Sequence, residues 1–219
     1  MISHAIVALL SLIVLIQEKR ADLPIVELSY AELFDISCSQ QTKYTINSSW
    51  VSEIRQRLSE FRSAWEHSGP ALLQATQDII GEPFVQREFH VSMSVCSLPS
   101  MGDPLLVNMR FSLKSFTPDA LPMDVSVSTI FHEILHRYLA GRIPENSKLL
   151  SKYTSEDETV RFHLHLFALQ KAVYLKLGLA ETLDRVIKKD QSLPNKSYGR
   201  AWQIVNDLEG YSVFVAELR

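Results

Sequence analysis

The chain has 219 residues, of which 46% are hydrophobic and 21% charged, and its net charge is −3. This is the composition of an ordinary globular protein, and the length suits one large domain or two small lobes. No basic stripe interleaved with aromatic residues is present, so a nucleic-acid partner is not expected. The two cysteines, Cys38 and Cys96, are too few for a disulfide framework or a cysteine-based zinc site. They either form one disulfide in an oxidising compartment or remain buried free thiols.

The N-terminal segment contains an apolar run, AIVALLSLIVLI, over residues 5–16. A transmembrane helix needs about 20 apolar residues, so this shorter run is more typical of the apolar core of a secretory signal peptide. Residues 1–4 contain no Lys or Arg, and residues 17–21 offer no small-x-small cleavage site. We therefore expect residues 1–21 to be a signal peptide, with an uncleaved membrane anchor or a buried first helix as alternatives. The expected location is periplasmic or secreted, or membrane-anchored if the segment is retained.

The first part of the remaining chain mixes strand and helix patterns. Residues 24–30 predict a strand, whereas residues 35–47 are polar and turn-rich. Apolar residues then recur at helical spacing over residues 49–67. Ser68-Gly69-Pro70 predicts the end of that helix and the start of a shorter one over residues 71–80.

Two segments with alternating apolar and polar side chains follow, at residues 89–96 and 105–114. This alternation predicts half-buried strands, and the turn-prone loop from Pro99 to Pro104 predicts that they pair antiparallel. From there on, only helices are predicted, over residues 124–140, 156–177, 180–189 and 199–218. The predicted fold class is α+β, with a sheet-containing lobe at residues 22–122 and a helical lobe at residues 123–219 in a single domain.

The motif that carries chemistry is His132-Glu133-Ile134-Leu135-His136. Two histidines four residues apart on a helix project from the same face, which is the spacing for two ligands of one zinc ion. Glu133 does not bind the metal in such motifs but takes a proton from the water that the zinc activates.

With these residues the chain resembles the zincin metallopeptidases, over roughly residues 89–170. The resemblance implies a sheet-containing upper lobe, a helix that carries the active site, a mainly helical lower lobe, and a substrate that lies along an edge strand. Arg142 stands where the third histidine of the metzincins would fall, so that subgroup is excluded. Arg137 departs from the usual pattern, in which an uncharged residue follows the motif.

A third protein ligand is expected for zinc of this type. The thermolysin-like zincins take a Glu that nineteen residues separate from the second histidine, and here that residue is Glu156. His163 lies on the same helical stripe, seven residues later, among apolar side chains. We predict His163 as the third ligand, with Glu156 as the main alternative and Glu158 or Glu209 as weaker ones.

Other candidate site residues are assigned by type and position alone. His165 points to another helix face than His163, which favours a structural or supporting role. An oxyanion stabiliser is also expected, and Tyr153, Tyr198 and Tyr211 are candidates by residue type.

Together these patterns predict a zinc-dependent metallopeptidase that hydrolyses peptide or protein substrates, with Glu133 as the catalytic base and His132, His136 and His163 as metal ligands. One alternative is a zincin-fold protein without protease activity that binds peptides or has a structural role. Another is a zinc hydrolase that acts on a non-peptide bond. A helical interaction protein with an accidental motif is the third.

Overall fold

The computed structural model describes residues 23–219. The predicted signal peptide or membrane anchor at residues 1–21 lies outside this range. Within it, no helix combines the length and the apolar character that crossing a membrane requires. The described chain is an α+β fold in which helices surround a small sheet, so the predicted fold class is confirmed at this level.

The sheet has three strands, in the order β1 (Ile25–Tyr30), β2 (Glu88–Ser94) and β3 (Leu106–Asn108). Both neighbouring pairs are parallel. Parallel strands need a long crossover between them, and helices α1 (Glu32–Thr42) and α2 (Ser48–Ile80) supply it between β1 and β2.

The predicted antiparallel pairing of β2 with β3 is wrong, because the loop between these strands contains a reversal of its own. The N–H groups of Met101 and Leu106 donate to each other's carbonyl oxygens, both at 2.9 Å, which makes a small antiparallel bridge. The chain therefore turns twice between the strands, and β3 enters the sheet parallel to β2.

The outer edge of β3 is covered by this same loop. Leu106 donates its N–H to Met101, and the Asn108 N–H donates to the Ser100 hydroxyl at 2.9 Å. These two backbone donors are therefore not open to an extended substrate. This differs from the edge-strand binding that the resemblance to zincins implies.

Two helix boundaries in the first half also differ from prediction. The segment around residues 35–42 was expected to be a polar loop but forms most of α1. Helix α2 runs unbroken through Pro70, because its residues on both sides of the proline are buried against the core. Gly69 leaves room for the Trp65 indole, since a Cβ at this position would overlap the ring.

The second half is helical, as predicted, and α3 lies at its centre. Ile130, Phe131, Ile134 and Leu135 of this helix are all 0% exposed, so the motif residues sit on a rigid, fully packed segment. The predicted last helix is divided in two by a π-helical turn and by Gly210, whose φ is 85°. The helices of this half are α3 (Met123–Leu139), α4 (Lys148–Lys152), α5 (Glu158–Lys176), α6 (Ala180–Ser192), α7 (Ser197–Gln203) and α8 (Tyr211–Glu217).

A disulfide joins Cys38 of α1 to Cys96, just after β2, with a Cα–Cα distance of 6.4 Å. Of the two alternatives for these cysteines, the structure has the bonded one. A second connection lies beside it, because the buried Asp35 carboxylate accepts hydrogen bonds from the Ser94 hydroxyl and, at 3.0 Å, from the Val95 N–H. Helix α1 is thus fixed to the end of the central strand.

Candidate metal centre

Helix α3 presents two of the predicted ligands side by side. His132 and His136 lie one turn apart, and their Nε2 atoms are 3.1 Å apart. When two neutral imidazoles face each other through Nε2, at most one of the two nitrogens carries a proton, and the other presents its lone pair. Two Zn–N bonds of about 2.0–2.1 Å in a tetrahedral site place their nitrogens about 3.3 Å apart, so the observed separation suits a shared metal ion.

Helix α5 brings the third histidine to the same place. One ligand nitrogen each from His132, His136 and His163 lies within 4.8 Å of the others. His163 is 5% exposed and His132 is 8% exposed, whereas His136 is half-buried. The structure therefore groups the three histidines that the sequence singled out, and this group could hold a metal ion.

Contacts at Nδ1 fix the orientation of two of these rings, those of His163 and His132. His163 donates its Nδ1–H to the Thr159 carbonyl at 2.7 Å, and its buried Nε2 has no protein partner. His132 Nδ1 lies 3.4 Å from Gln170 Oε1, and Gln170 in turn donates to the Ser128 hydroxyl at 3.0 Å. A donor bond at Nδ1 leaves the Nε2 lone pair free, which is how metal-binding histidines are usually oriented.

The electrostatic setting keeps all three rings uncharged. Burial, together with the neighbouring histidines, lowers the pKa of His132 well below its usual value. The same two causes lower the pKa of His136 to about 3, and burial lowers the pKa of His163. Neutral imidazoles have the lone pair that a metal needs, so the group is ready to bind a cation at neutral pH.

Glu133 lies beside this group, 4% exposed, and its Oε2 has no hydrogen-bond partner. Burial raises the pKa of this carboxyl to about 8, while the positive charge of Lys189 acts in the opposite direction. A carboxyl with a pKa near neutrality is suited to take up and release a proton. A buried carboxyl without a hydrogen-bond partner is costly for folding, which makes Glu133 a candidate functional residue.

A cavity of about 420 Å³ opens against His132 and Glu133. Its wall includes polar groups from α5, from α6 and from the segment that follows α6, namely Gln170, Lys189, Asp190, Asn195 and Tyr198. Apolar side chains form much of the rest, among them Leu121, Val125, Val186 and Leu193. The volume suits a small molecule or the end of a peptide.

The competing third ligands lie elsewhere. Glu156 precedes α5 and accepts two hydrogen bonds from the Arg200 guanidinium, at 2.9 and 2.6 Å. Glu209 accepts hydrogen bonds from the Lys152 ammonium group and the Tyr153 hydroxyl. Glu158 is exposed in the first turn of α5.

His165, two residues after His163, faces away from the metal group. Its Nε2 pairs with Glu217 Oε2 at 2.8 Å, and its ring packs edge-on against Phe214. It is 0% exposed. These contacts agree with the structural role that was expected for it.

Of the three tyrosine candidates, Tyr198 lines the cavity, and its ring centroid is 4.6 Å from that of His163. Burial and the nearby Glu133 and Asp190 raise its pKa above the usual value, so it keeps its proton. Tyr153 is bound to Glu209, and Tyr211 lies under Lys171.

Sequence reasoning did not find Gln170 and Lys189. Gln170 lies seven residues after His163 on the same stripe of α5, so a polar residue at this spacing in an apolar stripe was a usable signal. Lys189 lies at the end of α6, and nothing in the sequence places it near the motif.

The loop between β2 and β3 packs directly on the motif helix. A Cβ on Gly102 would lie 2.7 Å from the His136 Cβ and 3.3 Å from the Glu133 carbonyl oxygen. Next to it, Asp103 pairs with Arg137 at 2.7 Å. Arg137, the residue that departs from the zincin pattern, therefore contacts this loop.

No protein-family model matches this chain, and neither a curated protein nor a solved structure is significantly similar to it.

Proposed function

We propose that the protein is a zinc-dependent hydrolase that cleaves peptide bonds. The observation that carries the proposal is the buried group of His132, His136 and His163 with the unpaired carboxyl of Glu133 beside it. Three imidazole ligands and one position open to a cavity are the arrangement of catalytic rather than structural zinc sites.

Zinc is the proposed ion because of the donor set. Three neutral nitrogens without thiolates or additional carboxylates suit zinc better than magnesium or calcium, which prefer oxygen ligands. When bound, zinc supplies Lewis acidity, which acidifies water and polarises a carbonyl group. Thr159 and Gln170 hold two of the imidazoles in the orientation that this binding needs.

Glu133 is the proposed general base. Its Oε2 takes a proton from the attacking water and then passes that proton to the leaving nitrogen. Its burial and the absence of a hydrogen-bond partner at Oε2 support this role, because they leave the carboxyl free to exchange a proton with water and substrate. We assign Tyr198, on the wall of the same cavity, to donate a hydrogen bond to negative charge that develops on the substrate oxygen.

We also propose that the protein is exported. The Cys38–Cys96 disulfide supports this, because disulfides persist mainly in oxidising compartments. The apolar run at residues 5–16 agrees with such a destination.

The test has two parts on the purified protein. Mass spectrometry after dialysis against metal-free buffer should find about one zinc per chain. Hydrolysis of a set of internally quenched fluorogenic peptides should fall at least about 100-fold in Glu133→Gln, because general bases contribute roughly that much or more. The variant should keep its zinc, since Glu133 is not a ligand.

Glu145→Gln is the matched control, since Glu145 is exposed and lies outside the cavity. It should hydrolyse the peptides at the unaltered rate. A chain that binds no zinc even after zinc is added back, or a Glu133→Gln variant as active as the control, would contradict the proposed function.

A further inference from the structure

One wall of the cavity beside Glu133 is formed by the loop between β2 and β3. The loop between β2 and β3 uses the outward N–H groups of Leu106 and Asn108, so a long extended chain has no free strand edge to pair with there. Ser97, Pro99 and Ser100 of the same loop also line the cavity. A substrate that reaches Glu133 would therefore occupy this cavity of about 420 Å³ rather than pair with the edge of β3.

The wall of this cavity includes a lysine whose ammonium group is held in place. Lys189, at the end of α6, lines the cavity, and its side chain is only 26% exposed. Its ammonium group donates to Asp190 Oδ1 at 3.1 Å. Asp190 is itself 3% exposed, and its other carboxylate oxygen accepts the Trp202 indole N–H at 2.9 Å. Trp202 is fully buried, so this chain of contacts holds the ammonium group in place at the cavity wall.

Lys189 can bind an anion without releasing Asp190. An ammonium group has three N–H donors, and one of them is directed at the Asp190 carboxylate. Lys189 lines the same cavity as Glu133 and His132.

Arg110, the other cation on this wall, is already committed. Its guanidinium donates to Asn108 Oδ1 at 3.2 Å, to the Ser97 carbonyl at 3.3 Å and to the Tyr44 hydroxyl at 2.7 Å. These bonds to three separate groups give Arg110 a structural role at the cavity rim. Arg110 is thus held against the loop between β2 and β3, whereas Lys189 is the cation on the part of the wall that α6 forms, and this position makes Lys189 the candidate for recognising an anionic substrate group.

The wall near Lys189 also has an apolar part. Val186 lies one helical turn before it on α6, and Leu193 follows the helix. Both line the cavity together with Leu121 and Val125. An apolar side chain and a negative charge on the same substrate residue would thus find complementary surfaces close together.

We propose that Lys189 binds the terminal carboxylate of a peptide and that the enzyme removes an apolar residue from the C-terminus. This inference rests on the proposed function. In the reaction the last C–N bond breaks, the water oxygen joins the carbonyl carbon, and the leaving nitrogen takes the proton that Glu133 delivers. One water is consumed and no other reactant is needed.

The experiment compares N-acetyl-Ala-Leu with its C-terminal amide as substrates for the full, zinc-loaded protein. The kcat/KM for release of leucine from the acid should exceed that for release of leucinamide from the amide by about 10- to 100-fold. Hydrogen bonds to a charged group contribute about 1.5–3 kcal/mol, which corresponds to roughly this ratio.

The variant Lys189→Gln keeps an N–H for Asp190 and removes the charge. It should reduce the acid-to-amide ratio to about 1, mainly by slowing hydrolysis of the acid. Lys188→Gln is the matched control, since Lys188 is the neighbouring exposed lysine and lies outside the cavity. It should keep the unaltered ratio, and zinc content and circular dichroism should be the same for all three proteins.

Equal hydrolysis of the acid and the amide by the unaltered protein would overturn the inference and leave the proposed function standing. So would a ratio that Lys189→Gln does not change. Failure to cleave either dipeptide, alongside Glu133-dependent cleavage of the internally quenched peptides, would likewise exclude C-terminal trimming. The absence of all Glu133-dependent hydrolysis, by contrast, would remove the proposed function together with the inference.

Discussion

Two histidines on helix α5, His163 and His165, are two residues apart, buried and uncharged, yet they belong to different regions of the molecule. His163 faces α3 and joins two other imidazoles. His165 faces α8 and pairs with Glu217 at 2.8 Å. Each also has one buried ring nitrogen without a protein partner, Nε2 in His163 and Nδ1 in His165.

The difference shows that a bare ring nitrogen does not by itself mark a metal ligand. What sets His163 apart is that one of its ring nitrogens lies within 4.8 Å of ligand nitrogens from two other residues. The partner of His165 is a carboxylate that also holds the start of α4, through the Ser147 hydroxyl and the Lys148 N–H. One face of α5 therefore contributes to a candidate metal centre. The other face, through Glu217, links α5 to α8 and to the start of α4.

The largest effect that separates the two faces should be on metal binding. His163→Gln should weaken zinc binding by more than about 100-fold, because it removes a direct ligand, whereas changes to supporting groups cost about 10- to 100-fold. His165→Gln is the same substitution on the other face and should leave zinc binding unchanged. Competition with a chelator of known affinity measures both, and equal loss in the two variants would mean that the faces do not differ in this way.

On the opposite face the effect should be on stability. His165→Leu keeps most of the side-chain volume but removes the donor to Glu217, so the free energy of unfolding should fall by about 1–3 kcal/mol. His165→Gln can still donate and should lose less. Urea unfolding of the two variants provides the comparison, and a His165→Leu protein as stable as the unaltered one would show that the pair contributes nothing.

The role of Gln170 sharpens the comparison, because this residue supports a ligand from a distance. Gln170→Leu should weaken zinc binding by about 10- to 100-fold, since His132 loses the acceptor that orients its ring. Gln170→Glu restores an acceptor and should recover part of the affinity. If both variants bind zinc as tightly as the unaltered protein, Gln170 does not position His132.

The smallest effect is the pH dependence that Glu217 contributes. Burial alone would raise its pKa, but hydrogen bonds from Ser147 and His165 outweigh that and lower it. A lowered pKa in the folded state stabilises the protein above the unfolded value, about 4.3, and this stabilisation is lost as the pH falls through the folded value. Glu217→Gln should cost about 1 kcal/mol at pH 7 and should flatten the fall in stability below about pH 4.5. Unfolding curves from pH 3 to 7 measure this, and parallel curves for the variant and the unaltered protein would contradict it.

The motif helix was predictable because its signals are local. The spacing of His132 and His136, and the apolar residues around them, predict both the helix and its burial. The choice between Glu156 and His163 was harder, because both lie on one stripe of the predicted helix. That choice depends on how α5 is placed along α3, and the structure pairs Glu156 with Arg200 instead.

The errors concern features that tertiary packing decides. The strand pairing depended on how often the loop between β2 and β3 reverses, and a second reversal at Met101 is not evident from turn propensity. Pro70 was expected to end a helix, but burial on both sides of it outweighs the hydrogen bond that proline removes. The location of Lys189 likewise follows from how α6 folds back over α3.

The connection between β1 and β2 gives the disulfide a consequence for folding. Cys38 and Cys96 are 58 residues apart, and the loop that they close contains all of α2. Closing a loop of this length removes entropy from the unfolded chain worth about 4 kcal/mol in the chain-entropy treatment. In the oxidised chain the disulfide therefore already holds the ends of β1 and β2 near each other before these strands pair. In the reduced chain, pairing of β1 with β2 requires closure of the whole loop at its full entropic cost.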